Sequence, residues 1–129
     1  MTANTTKSVV VVDDSPSLIM LFRRGAEHLD VDLQIFNSTD DAWVHLESNK
    51  PDLLFLNIKM PGKDGFSILR ELRKSPLHRD TAVVMISSKD YAQDRSIARE
   101  LGALDFITKP MPIQVIKDAI IKHLGFDSP

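Results

Sequence analysis

Three short apolar runs constrain the fold of this chain more than any other feature: "SVVVV" (8–12), "DLLFL" (52–56) and "AVVMI" (82–86). Each has the length of a strand, and none alternates with polar residues as a half-wetted strand does. Such continuous runs are the mark of central parallel strands buried on both faces. Two mixed segments suit the edges of the same sheet. In "VDLQIF" (31–36), Val31, Leu33 and Ile35 alternate with Asp32 and Gln34, and "LDFIT" (104–108) is short and mixed.

Between the strands the apolar spacing becomes helical. Leu18, Leu21, Phe22 and Leu29 predict a helix over 16–29, with Ser15 as N-cap and Pro16 at its first position. Ala42, Trp43 and Leu46 mark a second helix, opened by the cap-rich "STDD". Ile68, Leu69 and Leu72 mark a third. Ile97, Ala98 and Leu101 mark a fourth that Gly102 terminates, and Ile113, Ile116, Ala119 and Ile120 mark a fifth. Five successive β-α units imply a doubly wound α/β fold with helices on both faces of a parallel sheet. With strands 2 and 5 at the edges, the strand order is 2-1-3-4-5. At 129 residues, the chain is expected to form a single domain with a core over about 7–124 and loose ends at the first seven residues and "GFDSP".

Charge and composition narrow the function. A net charge of −2, with both signs mixed along the chain, leaves no electrostatic footprint for nucleic acid or an anionic membrane. There is no cysteine, hence neither a disulfide framework nor thiolate chemistry. "MTANTTK" is polar, the "VVVV" after it is too short for a signal-peptide core, and no apolar run approaches a membrane span. A soluble, cytoplasmic domain is expected. No G-x-G-x-x-G follows the first strand and no G-x-x-x-x-G-K-[ST] loop occurs, which argues against a dinucleotide or a P-loop nucleotide. His28, His45, His78 and His123 lack metal-ligand spacing and are expected to lie mostly at the surface.

In open α/β sheets ligands bind beyond the carboxyl ends of the strands, near the switch point between strands 1 and 3. The residues expected there are Asp13-Asp14, Asn57, Ser87-Ser88 and Lys109-Pro110. A carboxylate pair beside a third oxygen ligand suits a hard cation such as Mg²⁺. A lysine and a hydroxyl suit the oxygens of a phosphoryl group. Taken singly, the Asp pair reads as a helix cap, Lys-Pro as a turn and Ser-Ser as loop filler. Their coincidence at the strand ends of one five-unit fold gives the set its meaning.

"VVVVDDSPSLIMLF", "PDLLFLNIKMPGKDGF", "AVVMISS" and "ARELGALDFITKP" resemble the successive signatures of bacterial response-regulator receiver domains, the CheY-like family, over roughly residues 7–124. The resemblance implies a stand-alone, non-enzymatic receiver. It implies that Asp14 ligates Mg²⁺ directly, that Asp13 helps through water, and that the Lys59 backbone carbonyl and residue 57 complete the ligands. Ser87 corresponds to the switch hydroxyl and Lys109 to the lysine paired with the phosphoryl group. Pro110 corresponds to a proline after a cis peptide bond, and Phe106 to the switch aromatic. Pro61, Gly62, Asp64 and Gly65 shape the adjoining loop, and as turn residues Pro61, Gly62 and Gly65 need no further role. The implied partners are a histidine kinase or phosphotransfer protein, and a downstream protein docking on the helix 4–strand 5–helix 5 face. That face offers Lys89, Arg95, Arg99, Lys117 and Lys122.

The departure is Asn57, where the family carries the aspartate nucleophile. An amide oxygen bears no full charge, its lone pair is delocalised into the C–N bond, and it is not expected to take a phosphoryl group. Two readings follow. One is a substituted form of an active phospho-receiver, with Asp→Asn as the nearly isosteric off switch. The other is a natural pseudo-receiver that binds proteins without phosphotransfer, in which the Lys59 ammonium could neutralise Asp13 or Asp14. A phosphatase of the haloacid-dehalogenase type is disfavoured, because the D-x-D spacing and a cap domain are lacking.

Overall fold

The computed structural model describes residues 6–125. Five strands, β1 (Lys7–Val12), β2 (Val31–Phe36), β3 (Leu53–Asn57), β4 (Val83–Ser87) and β5 (Asp105–Thr108), alternate with five helices. The helices are α1 (Pro16–Ala26), α2 (Thr39–Leu46), α3 (Gly65–Lys74), α4 (Ala92–Glu100) and α5 (Ile113–Leu124). The sheet is parallel throughout, in the order β2-β1-β3-β4-β5. This is the predicted doubly wound topology.

The three apolar runs are continuous because each strand feeds two cores. Val9, Val11, Leu53, Phe55, Val84 and Ile86 pack on one face with Phe22 of α1 and with Ile116 and Ile120 of α5. Their alternate neighbours Val10, Val12, Leu54, Leu56, Val83 and Met85 pack on the other face with α2, α3 and α4. Successive strand side chains point to opposite faces, so a strand covered on both sides has no wet positions to mark with polar residues. Edge strand β2 is only half-buried, as its alternation predicts.

Some boundaries differ from the sequence expectation. Helix α1 stops at Ala26 rather than at 29, because Glu27 leaves the helical region (ψ 141°) and His28 then takes the left-handed conformation (φ 67°) and turns the chain. Leu29 still packs into the α1/α5 core from that turn. Asp52, Ala82 and Leu104 precede their strands, whereas Asn57 and Ser87 are the last residues of β3 and β4. Lys7 already belongs to β1, and residues 1–5 and 126–129 of the expected loose ends lie outside the described residues. Gly102 ends α4 as expected, at φ 79°. A short 3-10 turn, Pro76–His78, was not predicted. It buries His78 almost completely, so the histidines are not mostly at the surface: His28 is exposed, while His45 and His123 are half-buried.

Candidate functional site

Strand register assembles the site. Val12 pairs with Leu56, Asn57 with Ile86, and Ser87 with Thr108. Asp13 is therefore level with Asn57, Ser87 stands one residue further along, and Lys109 one beyond that, so all four reach the carboxyl edge of the sheet. The predicted residues are brought together by the in-register ladder itself.

Asp13 is fully buried. Its Oδ1 accepts the Ser15 amide at 2.8 Å, in the turn where Ser15 caps α1. Its Oδ2 lies 3.1 Å from Lys109 Nζ, an ion-pair contact off the line of a hydrogen bond, so this oxygen keeps an unfilled acceptor. A buried carboxylate needs a cation close by, and Lys109, itself mostly buried, is the group that supplies it. Asp14 is exposed beside it. Lys59 is also exposed, and the ion pair to Asp13 comes from Lys109 rather than from the Lys59 ammonium.

Asn57 is buried, and its Nδ2 donates to the Lys59 carbonyl at 2.9 Å. The orientation of the amide follows from that bond: a carbonyl can only accept, so the NH₂ end must face it. The same nitrogen lies 3.6 Å from the sulfur of buried Met60, a neighbour the sequence reading missed. Ser87 is buried, and its Oγ accepts the Lys89 amide at 3.0 Å, which leaves the hydroxyl proton free to donate. The Ser87 carbonyl accepts the Lys109 amide at 2.7 Å, and the Lys109–Pro110 peptide is cis, as the resemblance implied. Beside Ser87 a groove of about 310 Å³ opens between Lys59, Lys89 and Tyr91.

The loop after β3 is held by contacts that turn chemistry alone does not describe. Gly62 takes φ 79°, as a turn glycine does. Gly65 has a different role. A Cβ there would stand 2.3 Å from the Asn57 carbonyl oxygen, and the Gly65 amide donates to the Ile58 carbonyl at 2.8 Å. Glycine thus lets the start of α3 close on the end of β3, with Asp64 capping the helix through the Ser67 amide at 2.8 Å. Phe106 is buried on β5 with the core that α2, α3 and α4 cover.

For a divalent cation the donor set fits in part. The unfilled Asp13 Oδ2 and exposed Asp14 are suitable hard oxygens. The Lys59 carbonyl, however, is already engaged by the Asn57 amide. Among the described residues, no group of three His, Cys, Asp or Glu side chains is placed to hold a metal. An aspartate at 57 would supply the missing third carboxylate.

A profile of the response regulator receiver domain matches residues 9–121. The cyclic di-GMP phosphodiesterase response regulator RpfG of Xanthomonas campestris is 35% identical over 106 residues, covering 81% of this chain and 28% of that protein. The alkaline phosphatase synthesis transcriptional regulatory protein PhoP of Bacillus subtilis is 33% identical over 104 residues, covering 81% of this chain and 42% of its own. The chain thus spans well under half the length of these relatives. The phosphorylated cyanobacterial phytochrome response regulator RcpA has the same fold, with a TM-score of 0.86 at 22% identity over 96% of this chain and 98% of that one. With strand order and family profile in agreement, the chain belongs to the response-regulator receiver domains of two-component signal transduction.

Proposed function

We propose that this chain is a phospho-receiver module held in its unphosphorylated state by Asn57. The observation that carries the reading is the completeness of the pocket around residue 57. The Asp13–Lys109 contact at 3.1 Å and the buried Ser87 hydroxyl are both in place, and only the nucleophile is missing. With aspartate at 57, a carboxylate oxygen would bond to phosphorus as the donor's bond to phosphorus breaks, the leaving group taking its electron pair. Lys109 and the Ser87 hydroxyl would then hold the transferred phosphoryl oxygens.

Asp13 and Asp14 would hold Mg²⁺, which supplies charge compensation for the phosphoryl oxygens. The Asn57 amide on the Lys59 carbonyl favours weak metal binding in the chain as written. The module works in the cytoplasm and is not an enzyme. Its upstream partner is a histidine kinase or phosphotransfer protein, and it acts on a downstream protein through the α4–β5–α5 face. Among the described residues, no helix is long and apolar enough to cross a membrane.

A second reading draws on the amide itself. Asn57 is buried with its NH₂ group on the Lys59 carbonyl, as expected of a natural pseudo-receiver adapted to the amide. Intact mass separates the two. The protein and its Asn57→Asp variant are treated with Mg²⁺ and a small-molecule phosphodonor. Gain of one phosphoryl group by the Asp form alone is the expected result, and no gain by either form transfers the lead to the pseudo-receiver.

A further inference from the structure

Among the described residues, two buried side-chain atoms lack a hydrogen bond: Asp13 Oδ2 at the site, and His123 Nε2 on the last turn of α5. The second lies at the opposite, amino end of the sheet and faces Asp105, the first residue of β5. Although His123 as a whole is half-buried, its side chain is only 8% exposed. Asp105 Oδ1 accepts the Phe106 amide at 2.8 Å, and Oδ2 stands 3.7 Å from His123 Nε2. That gap is too wide for a hydrogen bond. A buried ring nitrogen without a partner costs free energy, so the neutral imidazole is poorly accommodated here. An imidazolium would be served better. Both of its nitrogens donate, Oδ2 is an acceptor of opposite charge, and the last turn of a helix favours a cation. The other charged groups around Asp105 are Arg95 and Arg99 of α4 and Asp118 and Lys122 of α5. Arg95 is bonded to Asp90 and lies 4.7 Å from the centre of the Phe106 ring, and Asp118 accepts from Gln114 at 2.8 Å. Among the described residues, Asp105 is the one carboxylate within ion-pair reach of His123.

We propose that His123 and Asp105 form a proton-operated clasp between the end of α5 and the start of β5. Protonation of Nε2 closes the gap to a charge-assisted hydrogen bond of about 2.8 Å and fastens the last turn of α5 to the sheet. The proton comes from solvent and returns to it past Asp105, whose side chain is 42% exposed. Imidazole is the side chain that gains a proton between pH 8 and pH 5.5 while a carboxylate keeps its charge, so the clasp is shut in mild acid and open in mild alkali. A partly exposed ion pair is weak, and the clasp changes the opening of that one turn by about two- to fivefold. Neither residue belongs to the carboxyl edge, so the clasp works with asparagine or aspartate at 57 and its failure leaves the phosphoryl reading untouched.

The test is amide hydrogen exchange of the whole chain at pH 5.5 and pH 8, with the protection of each amide referred to its intrinsic rate at the same pH. The amides of residues 122–124 should be about two- to fivefold better protected at pH 5.5. Asp105→Asn and His123→Gln should each abolish that difference, and the double variant should match either single one. Asp105→Asn keeps an oxygen for the Phe106 amide, so its effect should be confined to the end of α5. Lys122→Gln, which removes only a neighbouring charge, should leave the pH difference in place. Equal protection of the parent at the two pH values, a difference shared by the amides of β3, one that persists in Asp105→Asn, or one that Lys122→Gln removes would each overturn the clasp.

Discussion

Two polar clusters, one at each end of the sheet, treat their hydrogen-bonding groups in opposite ways. At the amino ends of the strands, each side-chain nitrogen of the Arg73–His78 cluster has a partner. Arg73, near the end of α3, donates to the carbonyls of Leu101 (2.8 Å), His78 (2.9 Å), Thr81 (2.9 Å) and Gly102 (3.3 Å). His78 Nε2 meets the Leu46 carbonyl at 2.5 Å and Nδ1 meets Thr81 Oγ1 at 2.9 Å. Because a carbonyl only accepts, Nε2 carries the proton and Nδ1 accepts from the threonine. This cluster joins the ends of α2, α3 and α4 and leaves none of its buried side-chain atoms without a partner. At the carboxyl ends, Asp13 Oδ2 lacks a hydrogen bond and the Ser87 hydroxyl proton is free to donate. Saturated polar groups rigidify a joint, whereas unfilled ones are capacity for a ligand. The same residue types thus give stability at one end and a site at the other, according to whether donors and acceptors balance.

If this contrast is sound, the largest stability loss should come from the saturated end. Arg73→Ala removes four hydrogen bonds, two of them to the covered Leu101 and Thr81 carbonyls, and should cost about 3 kcal/mol in urea unfolding, whereas Ser87→Ala should cost well under about 1 kcal/mol. Burial lowers the Arg73 pKa, but the guanidinium stays charged at any ordinary pH, so the loss should not vary between pH 6 and 8. Comparable costs for the two substitutions would erase the distinction between the ends.

Gly65→Ala comes next. Its Cβ would meet the Asn57 carbonyl oxygen at 2.3 Å, and backbone cannot swing aside as a flexible side chain does. A loss of about 2 kcal/mol is expected, with the NMR perturbations concentrated at residues 57–60 rather than spread along α3.

Asn57→Asp tests the site end directly. Without metal, the carboxylate loses the bond to the Lys59 carbonyl and adds a charge beside Asp13. Thermal melts should show the Asp form less stable by about 1 kcal/mol, with the deficit reversed by Mg²⁺. An Asp form more stable than the parent without metal would contradict this account of the pocket.

The smallest effect belongs to the exposed rim of the amino end. Lys50, bonded to Asp80 at 2.6 Å on the surface, holds the Asp80 carboxyl below its ordinary range. A depressed folded-state value means that its stabilisation is present above the unfolded pKa and is lost as pH falls through the folded one. Stability of the parent and of Asp80→Asn should therefore differ slightly at neutral pH and converge in acid. A difference that grew on acidification would refute the assignment.

Particular residues mark what was legible in the sequence. The apolar runs announced both cores, and the polar residue after each run announced the site, because a parallel strand must deliver its last side chain to one edge of the sheet. The end of α1 was missed, because Leu29 keeps helical spacing while His28 turns the chain. Gly65 looked like turn punctuation, since nothing near it in sequence reports the approach of β3's carbonyl. His78 looked like a surface residue because its partners, Leu46 and Thr81, meet it only in the folded chain.

The sequence by itself determined the kind and order of the elements and which residues reach the carboxyl edge, because apolar periodicity and strand direction are local properties of the chain. Tertiary structure alone decided where the side chains point and what they meet: Lys109 on Asp13, the Asn57 amide on the Lys59 carbonyl, and Arg95 over Phe106. Those contacts depend on the balance of donors, acceptors and charges that exists only once elements distant in sequence have packed together.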